Sequence, residues 1–308
     1  MKKLVSTLNL LREEWLRYRK QGIGGSDAGA ICGFNPYRTA MQVFYDKTSD
    51  DIEDIDNEAM RQGRELEDYV AQRFVEETGK KVRRANAMFY DEKNPFMLAD
   101  VDRMIVGENA GLECKTVSLY MAEHWKDDKV PLSYQMQCYH YMSVCNADRW
   151  YVAALIYGRE FKVYTLERDE EIIANLIHLE GDFWTNYVQK RVLPEPDGSK
   201  LADSVIAEYY KNADSVIIPL QGFNDKLKRR QELVDLLDKL ETEKKQIEQE
   251  LKIYLGDAEM AENEQYRVSW KNVLTNRIDS TRLKEEEPEI YKRYQKTSQS
   301  RRFQVVAA

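Results

Sequence analysis

A mixed α/β fold is predicted for residues 1–195, with a central mixed sheet flanked by helices, followed by a helical arm and a small β/α tail. Three observations predict it. Segments of helical period alternate with short apolar runs in the order α-β-β-β-α-β-β-α. The apolar fraction is 43% over 308 residues, enough for a sizeable core and too much for wholesale disorder. Pro194, Pro196 and Gly198 then punctuate the chain ahead of a segment with a seven-residue repeat.

The first helix is expected over 8–20, where Leu8, Leu11, Trp15 and Leu16 share one face. In Gly22-Ile-Gly-Gly-Ser-Asp27 the glycines loosen the backbone, and Ser26 is a natural N-cap for a short next helix. Asn35-Pro36 marks a turn. Helices follow over 39–47 and 57–78, the second ended by Gly79. Strands are expected over 80–90, 96–106 and 110–117, and a helix over 132–145. Two strands come next, 148–157 and 160–167, turning at Gly158, and a helix over 169–191 closes the domain. Residues 196–221 read as a linker. Over 222–256, Leu233, Leu240, Ile247 and Tyr254 recur every seven residues, supported by Leu237 and Leu251, which predicts a coiled-coil-like helix. The tail, 257–308, should hold a strand over 266–270, a helix over 281–294 and a last strand over 303–306.

Composition narrows the function. A net charge of −8 argues against a protein that coats DNA, though not against an enzyme gripping it in a local channel. Cys32, Cys114, Cys138 and Cys145 form no Cys-x-x-Cys pair and read as reduced thiols of a cytoplasmic protein. The three histidines have no zinc spacing, so any metal should be a hard cation on oxygen ligands. No apolar run reaches the ~18–20 residues of a membrane span, and the apolar N-terminal stretch is too short for a secretory signal.

The chemistry concentrates in a few apolar segments. On a strand, Leu112, Cys114 and Thr116 share one face and Glu113 and Lys115 the other. That pattern suits a catalytic carboxylate–ammonium pair or a surface ion pair. Asp100 and Asp102 interrupt the apolar run 96–106. A hairpin turning over 107–111 would bring Asp102 beside Glu113, and adjacent carboxylates call for a divalent cation. Glu67 falls in the apolar face of its helix, as a site carboxylate or as a core glutamate paired with an arginine. Gln135 shares a face with Leu132, Cys138, Tyr139 and Met142, while Gln137 points the opposite way; a core-facing glutamine needs hydrogen bonds of some kind. Together these groups suit metal-assisted phosphodiester hydrolysis, with Lys115 orienting water or steadying charge.

Asp102-(x)10-Glu113-Cys-Lys115 resembles the PD-(D/E)XK nuclease pattern. Gly33-Phe-Asn-Pro-Tyr37, Gly63-Arg-Glu-Leu-Glu67, Ala99-Asp-Val-Asp102, Leu112-Glu-Cys-Lys-Thr116 and Tyr134-Gln-Met-Gln137, with the glycine segment at 22–27, resemble in order the YqaJ-like viral recombinase family, relatives of phage lambda exonuclease. The resemblance implies a PD-(D/E)XK restriction-endonuclease-like core and a DNA exonuclease that resects linear duplex ends 5′→3′. It implies a RecT-type single-strand annealing partner and a ring-like homo-oligomer, a trimer. It assigns Mg²⁺ or Mn²⁺ to Asp102, Glu113, Glu67 and the backbone carbonyl of Cys114. Lys115 becomes the catalytic lysine, Gln135 the helix glutamine, and Arg19 and Ser26 holders of a 5′-terminal phosphate. Independently, a glycine-rich helix start offers backbone N–H groups to a phosphate; Ser26 also reads as an ordinary N-cap and Arg19 as a solvated cation. This chain departs from the pattern where Val101 replaces the usual proline and Arg103 a glycine, which makes Asp100 a rival ligand. Two other readings are carried: a restriction- or repair-type endonuclease, and a non-catalytic binding module. The basic residues Lys292, Arg293, Lys296, Arg301 and Arg302, interleaved with aromatics, suit either DNA contact or a solvated run.

Overall fold

Local chemistry fixes the first elements. The chain opens with β1 (Lys2–Ser6) and α1 (Arg12–Arg19), then β2 (Ile23–Gly24), α2 (Gly25–Ile31), α3 (Ala40–Thr48) and α4 (Glu58–Thr78). The Thr39 hydroxyl accepts from the Gln42 amide at the start of α3, and the Asn57 side chain accepts from the Met60 amide at the start of α4. Gly79, at a φ of 70°, closes α4 in the left-handed region. The computed structural model describes residues 1–52, 56–125, 129–157, 159–297 and 300–306. It divides into one unit spanning Met1–Lys211 and a second spanning Asn212–Ala308.

The first unit continues with β3 (Val82–Arg83), β4 (Ala87–Tyr90), β5 (Met97–Asp100), β6 (Arg103–Ile105) and β7 (Ala110–Val117). A 3-10 segment (Leu119–Trp125), α5 (Leu132–Cys145), β8 (Arg149–Ile156), β9 (Glu160–Glu167), α6 (Glu170–Asp182), a π-helical turn (Phe183–Val188) and α7 (Lys200–Tyr209) complete it. The strands form two sheets, ordered β1-β4-β5-β2 and β3-β6-β7-β8-β9. β6 and β7 make the expected hairpin, with Arg103 opposite Leu112. β7 and β8 run parallel from Ala110↔Arg149 to Val117↔Ile156, joined by the α5 crossover.

The expected strands over 80–90 and 96–106 are each divided between the two sheets. Asn86, at a φ of 51°, turns the chain from β3 into β4. Val101 and Asp102 carry it from β5 to β6.

The five-stranded sheet is covered on both faces. Val70, Ala71 and Phe74 of α4 pack on Ile105, Leu112, Tyr151 and Ala153. Cys138, Met142 and Val144 of α5 pack with Trp150, Val152 and Ala154. α5 is also enclosed by α2: a Cβ at Gly25 would meet the Tyr141 ring at 2.5 Å, and one at Gly29 the Ser133 backbone at 2.9 Å. Toward α6, the fully buried His140 meets both oxygens of the buried Glu180 carboxylate through Nδ1 at 2.9 Å. Its Nε2 donates to the Leu98 carbonyl of β5 at 2.8 Å. A carbonyl cannot donate, so Nε2 carries a proton, and a second proton lies between Nδ1 and the carboxylate.

Several boundaries differ from expectation. β1 was not foreseen. The stretch read as linker contains α7, whose Ala202 and Val205 pack on Met41 of α3, so the first unit runs to Lys211 rather than 195. The helix over 169–191 becomes α6 plus the π-helical turn. The turn residue Gly158 lies outside the described residues.

In the second unit, α8 (Asn224–Leu255) is followed by the antiparallel pair β10 (Met260–Glu262) and β11 (Arg267–Ser269), then α9 (Ser280–Glu286) and α10 (Pro288–Tyr294). Pro288 breaks what was expected as one helix. Residues 303–306 form no strand. Leu233, Leu237, Leu240, Ile247, Leu251 and Tyr254 are all exposed on α8. Among the described residues no helix is long and apolar enough to cross a membrane.

A Cβ at Gly111 would lie 2.2 Å from the indole of Trp150, itself fully buried. Gly111→Ala should therefore destabilise the chain by about 1–3 kcal/mol, read as a lower urea midpoint; an unchanged midpoint would show that Trp150 yields without penalty.

Candidate active site

Where the chain changes sheets, Asp102 is left at the head of the β6–β7 hairpin with no strand partner of its own. Its Oδ2 instead accepts the Cys114 amide at 2.8 Å, which fixes the carboxylate against β7. Glu113, next along β7, is 3% exposed. Its Oε1 accepts from the Gln137 side-chain amide at 2.8 Å and lies 2.6 Å from Lys115 Nζ. Its Oε2 is buried and, among the described residues, has no hydrogen-bond partner. Burial, then the charges of Glu113 and Glu67, push the Asp102 carboxyl well above the usual carboxylate range. For Lys115, burial works to lower the pKa, but the charge of Glu113, followed by those of Tyr134 and Asp102, overcomes it and raises the value. The ammonium also donates to Gln137 Oε1 at 3.1 Å and stands 4.5 Å from the Tyr134 ring centre.

The glutamine is a correction. Gln135 donates to the Val130 carbonyl at 2.6 Å, which is the structural hydrogen bond left open above. Gln137 is buried and touches both Glu113 and Lys115. The single-face reading of α5 failed because the helix is enclosed by sheet, α2 and α6, so a polar residue off the apolar stripe is buried too. The Gln137–Tyr141 spacing was the available signal: one turn apart, they hydrogen-bond at 3.1 Å.

Glu67 faces the same cleft and is also the arginine-paired glutamate of the second reading. Arg103, only 4% exposed, donates to Glu67, to Asp68 and, at 2.6 Å, to the Asp102 carbonyl. The residue that departs from the family pattern thus locks α4 to the hairpin. The rival Asp100 ends β5 in the other sheet, where its Oδ2 accepts from the Trp15 indole N–H at 2.6 Å.

Arg19 and Ser26 do come together: Arg19 Nη2 donates to Ser26 Oγ at 2.9 Å. Ser26 is not the N-cap of α2; Gly24 is. Arg19 lies 4.9 Å from the Trp15 ring centre. These groups and the carboxylates line one cleft of about 760 Å³, whose walls include Trp15, Arg19, Ser26, Glu67, Asp102 and Lys115. Among the described residues no three His, Cys, Asp or Glu side chains converge as a closed metal site. An open one fits, since Mg²⁺ is commonly held by one or two carboxylates with waters and phosphate oxygens completing its shell, and Glu113 Oε2 is a buried acceptor without a donor.

The model of the YqaJ-like viral recombinase domain matches residues 14–148. The uncharacterized protein YqaJ of Bacillus subtilis (strain 168) is 36% identical over 307 residues, covering 98% of this chain and 96% of the relative. The chain belongs to the YqaJ family. Among solved structures, the alkaline exonuclease LHK-Exo of Laribacter hongkongensis matches with a TM-score of 0.51 at 19% identity, over 58% of this chain and 93% of that one. Its complex with dAMP matches with the same TM-score at 20% identity. This likeness shows that the chain has the lambda exonuclease-like fold of these alkaline exonucleases.

Asp102 carries a pH-dependent penalty. Its folded pKa lies above the unfolded value, so the penalty is absent below the ordinary carboxylate pKa and grows as pH rises from there to the raised value. Asp102→Asn keeps an oxygen for the Cys114 amide and removes the charge. In EDTA at pH 7 the variant should melt several degrees above the wild type, about 1–2 kcal/mol, and the gap should close near pH 4. Calorimetry showing a lower melting point at pH 7 would refute this account of Asp102.

Proposed function

We propose that this protein is a metal-dependent DNA exonuclease that degrades one strand of linear duplex ends 5′→3′ and leaves a 3′ strand for a RecT-type single-strand annealing protein. The observation that carries the reading is a pair of carboxylates, half-buried Asp102 and buried Glu113, the latter with one oxygen that has no hydrogen-bond partner among the described residues, beside a fixed ammonium. The family's description as a viral recombinase domain and the nucleotide held by LHK-Exo support it.

Asp102, Glu113, Glu67 and the Cys114 carbonyl would hold Mg²⁺ or Mn²⁺. A bound divalent cation would supply Lewis acidity toward a phosphate oxygen and toward water. Lys115 is held in place by Glu113 and Gln137; it orients the attacking water and sets a positive charge where phosphoryl charge develops. Gln137 keeps that ammonium and the Glu113 carboxylate in register. Arg19 and Ser26, at another part of the cleft wall, would take the 5′-terminal phosphate. The overall negative charge is compatible with this, because the grip on DNA is local to the cleft. An endonuclease of the same fold is the second reading, and closed circular DNA separates the two: only the endonuclease cuts it.

End-labelled linear DNA incubated with and without Mg²⁺, then sized, tests the proposal; intact DNA under both conditions rejects it. Lys115→Ala should lower turnover about a hundredfold or more without loss of fold. Gln137→Ala should lower it about tenfold while Gln135→Ala leaves it within about threefold; equal effects would return the role to Gln135. Calorimetric Mn²⁺ titration should show Asp102→Asn weakening binding far more than Asp100→Asn, and the reverse order would move the ligand to Asp100.

A further inference from the structure

The geometry points to Asp27 as a positioning residue for the 5′-phosphate site: a buried carboxylate that never meets DNA but sets the Arg19 guanidinium in the cleft. The inference rests on reading the cleft as a site for duplex ends.

Asp27 is fully buried. Its Oδ2 accepts from the Gly24 amide at 3.0 Å and from Lys47 Nζ at 2.8 Å. Its Oδ1 takes Arg38 at 2.6 Å and lies 3.6 Å from Arg19 Nη2. Both oxygens are thus engaged, and neither is free for a metal or a substrate. Three cations surround one carboxylate; Asp46, which also pairs with Arg38, still leaves an excess of one positive charge. Of the three, Arg19 is the one that lines the cleft.

The same cluster fixes the Arg19 backbone and side chain. Lys47, its side chain 4% exposed, donates through Nζ to the Arg19 carbonyl at 2.8 Å while it pairs with Asp27. At the other end, the guanidinium is held by the Trp15 face, by Ser26 and by Asp27. A buried charge cannot be left alone without a large penalty, so Asp27, Lys47 and Arg38 hold one another in place. Arg19 meets an incoming phosphate already oriented, with little rotamer entropy to lose. Asp27 also bonds the Gly24 amide, so it ties the Gly24–Ser26 backbone to the same anchor.

The test compares the full chain with its Asp27→Asn variant on linear duplexes bearing a 5′-phosphate or a 5′-hydroxyl. The wild type should favour phosphorylated ends. Asp27→Asn should reduce that preference in kcat/KM about tenfold or more, mainly through KM, and Asp27→Glu should restore part of it. A merely structural role would slow both substrates alike and leave their ratio unchanged. Because Asp27→Asn strands buried cations, the double variant Asp27→Asn, Lys47→Met removes the carboxylate charge and its most buried partner cation together and reads the same ratio. If a folded single or double variant keeps the wild-type preference, the inference is overturned. A wild type that cuts linear DNA with no preference also overturns it and leaves the nuclease reading standing; a wild type that cuts nothing removes both.

Discussion

The site depends on one hydrogen bond, from the Cys114 amide to Asp102 Oδ2. Between Asp100 and Arg103 the chain has left one sheet and not yet joined the other, so the Asp102 carboxylate has no ladder position to inherit. The β7 amide supplies one. That bond crosses the hairpin and sets half-buried Asp102 beside buried Glu113 in the cleft wall, where the two carboxylates raise each other's cost of carrying charge.

The protein manages this crowding unevenly. Arg103, Lys115 and Gln137 each take an oxygen or a charge: Arg103 engages Glu67, while Lys115 and Gln137 share Glu113 Oε1. Among the described residues no donor reaches Glu113 Oε2. A structural cluster would be expected to satisfy every buried acceptor. An unmatched acceptor beside a second carboxylate is what an open cation site would leave for its ligand.

Much of the arrangement was legible in the sequence because strand alternation and hairpin length are short-range properties. Leu112, Cys114 and the Glu113–Lys115 pair fall on the faces their spacing predicts, and the distance from Asp102 to Glu113 suits a hairpin. What was not legible came from packing in three dimensions. The choice between Gln135 and Gln137 depends on α2 and α6 covering α5, which no pattern within α5 encodes. Arg103 was visible as a departure, but its pairing with Glu67 and Asp68 needs α4 laid across the sheet. Asp27 was passed over beside Ser26, since its partners Arg38 and Lys47 lie 11 and 20 residues further along the chain. The division of 80–90 and 96–106 between two sheets was hidden for the same reason: an apolar run shows that a strand exists, not which neighbours it chooses.

The His140–Glu180 pair has a consequence for how this unit breathes. The imidazole joins α5 to α6 through the carboxylate and to β5 through the Leu98 carbonyl, with no solvent at either contact. Releasing either contact leaves an unpaired proton or lone pair in a dry interior, so the three elements open in concert rather than fray separately. Amide protons along β5 should therefore exchange with solvent at the pace of that joint opening, which ties the strand leading into the cleft wall to the stability of α5 and α6.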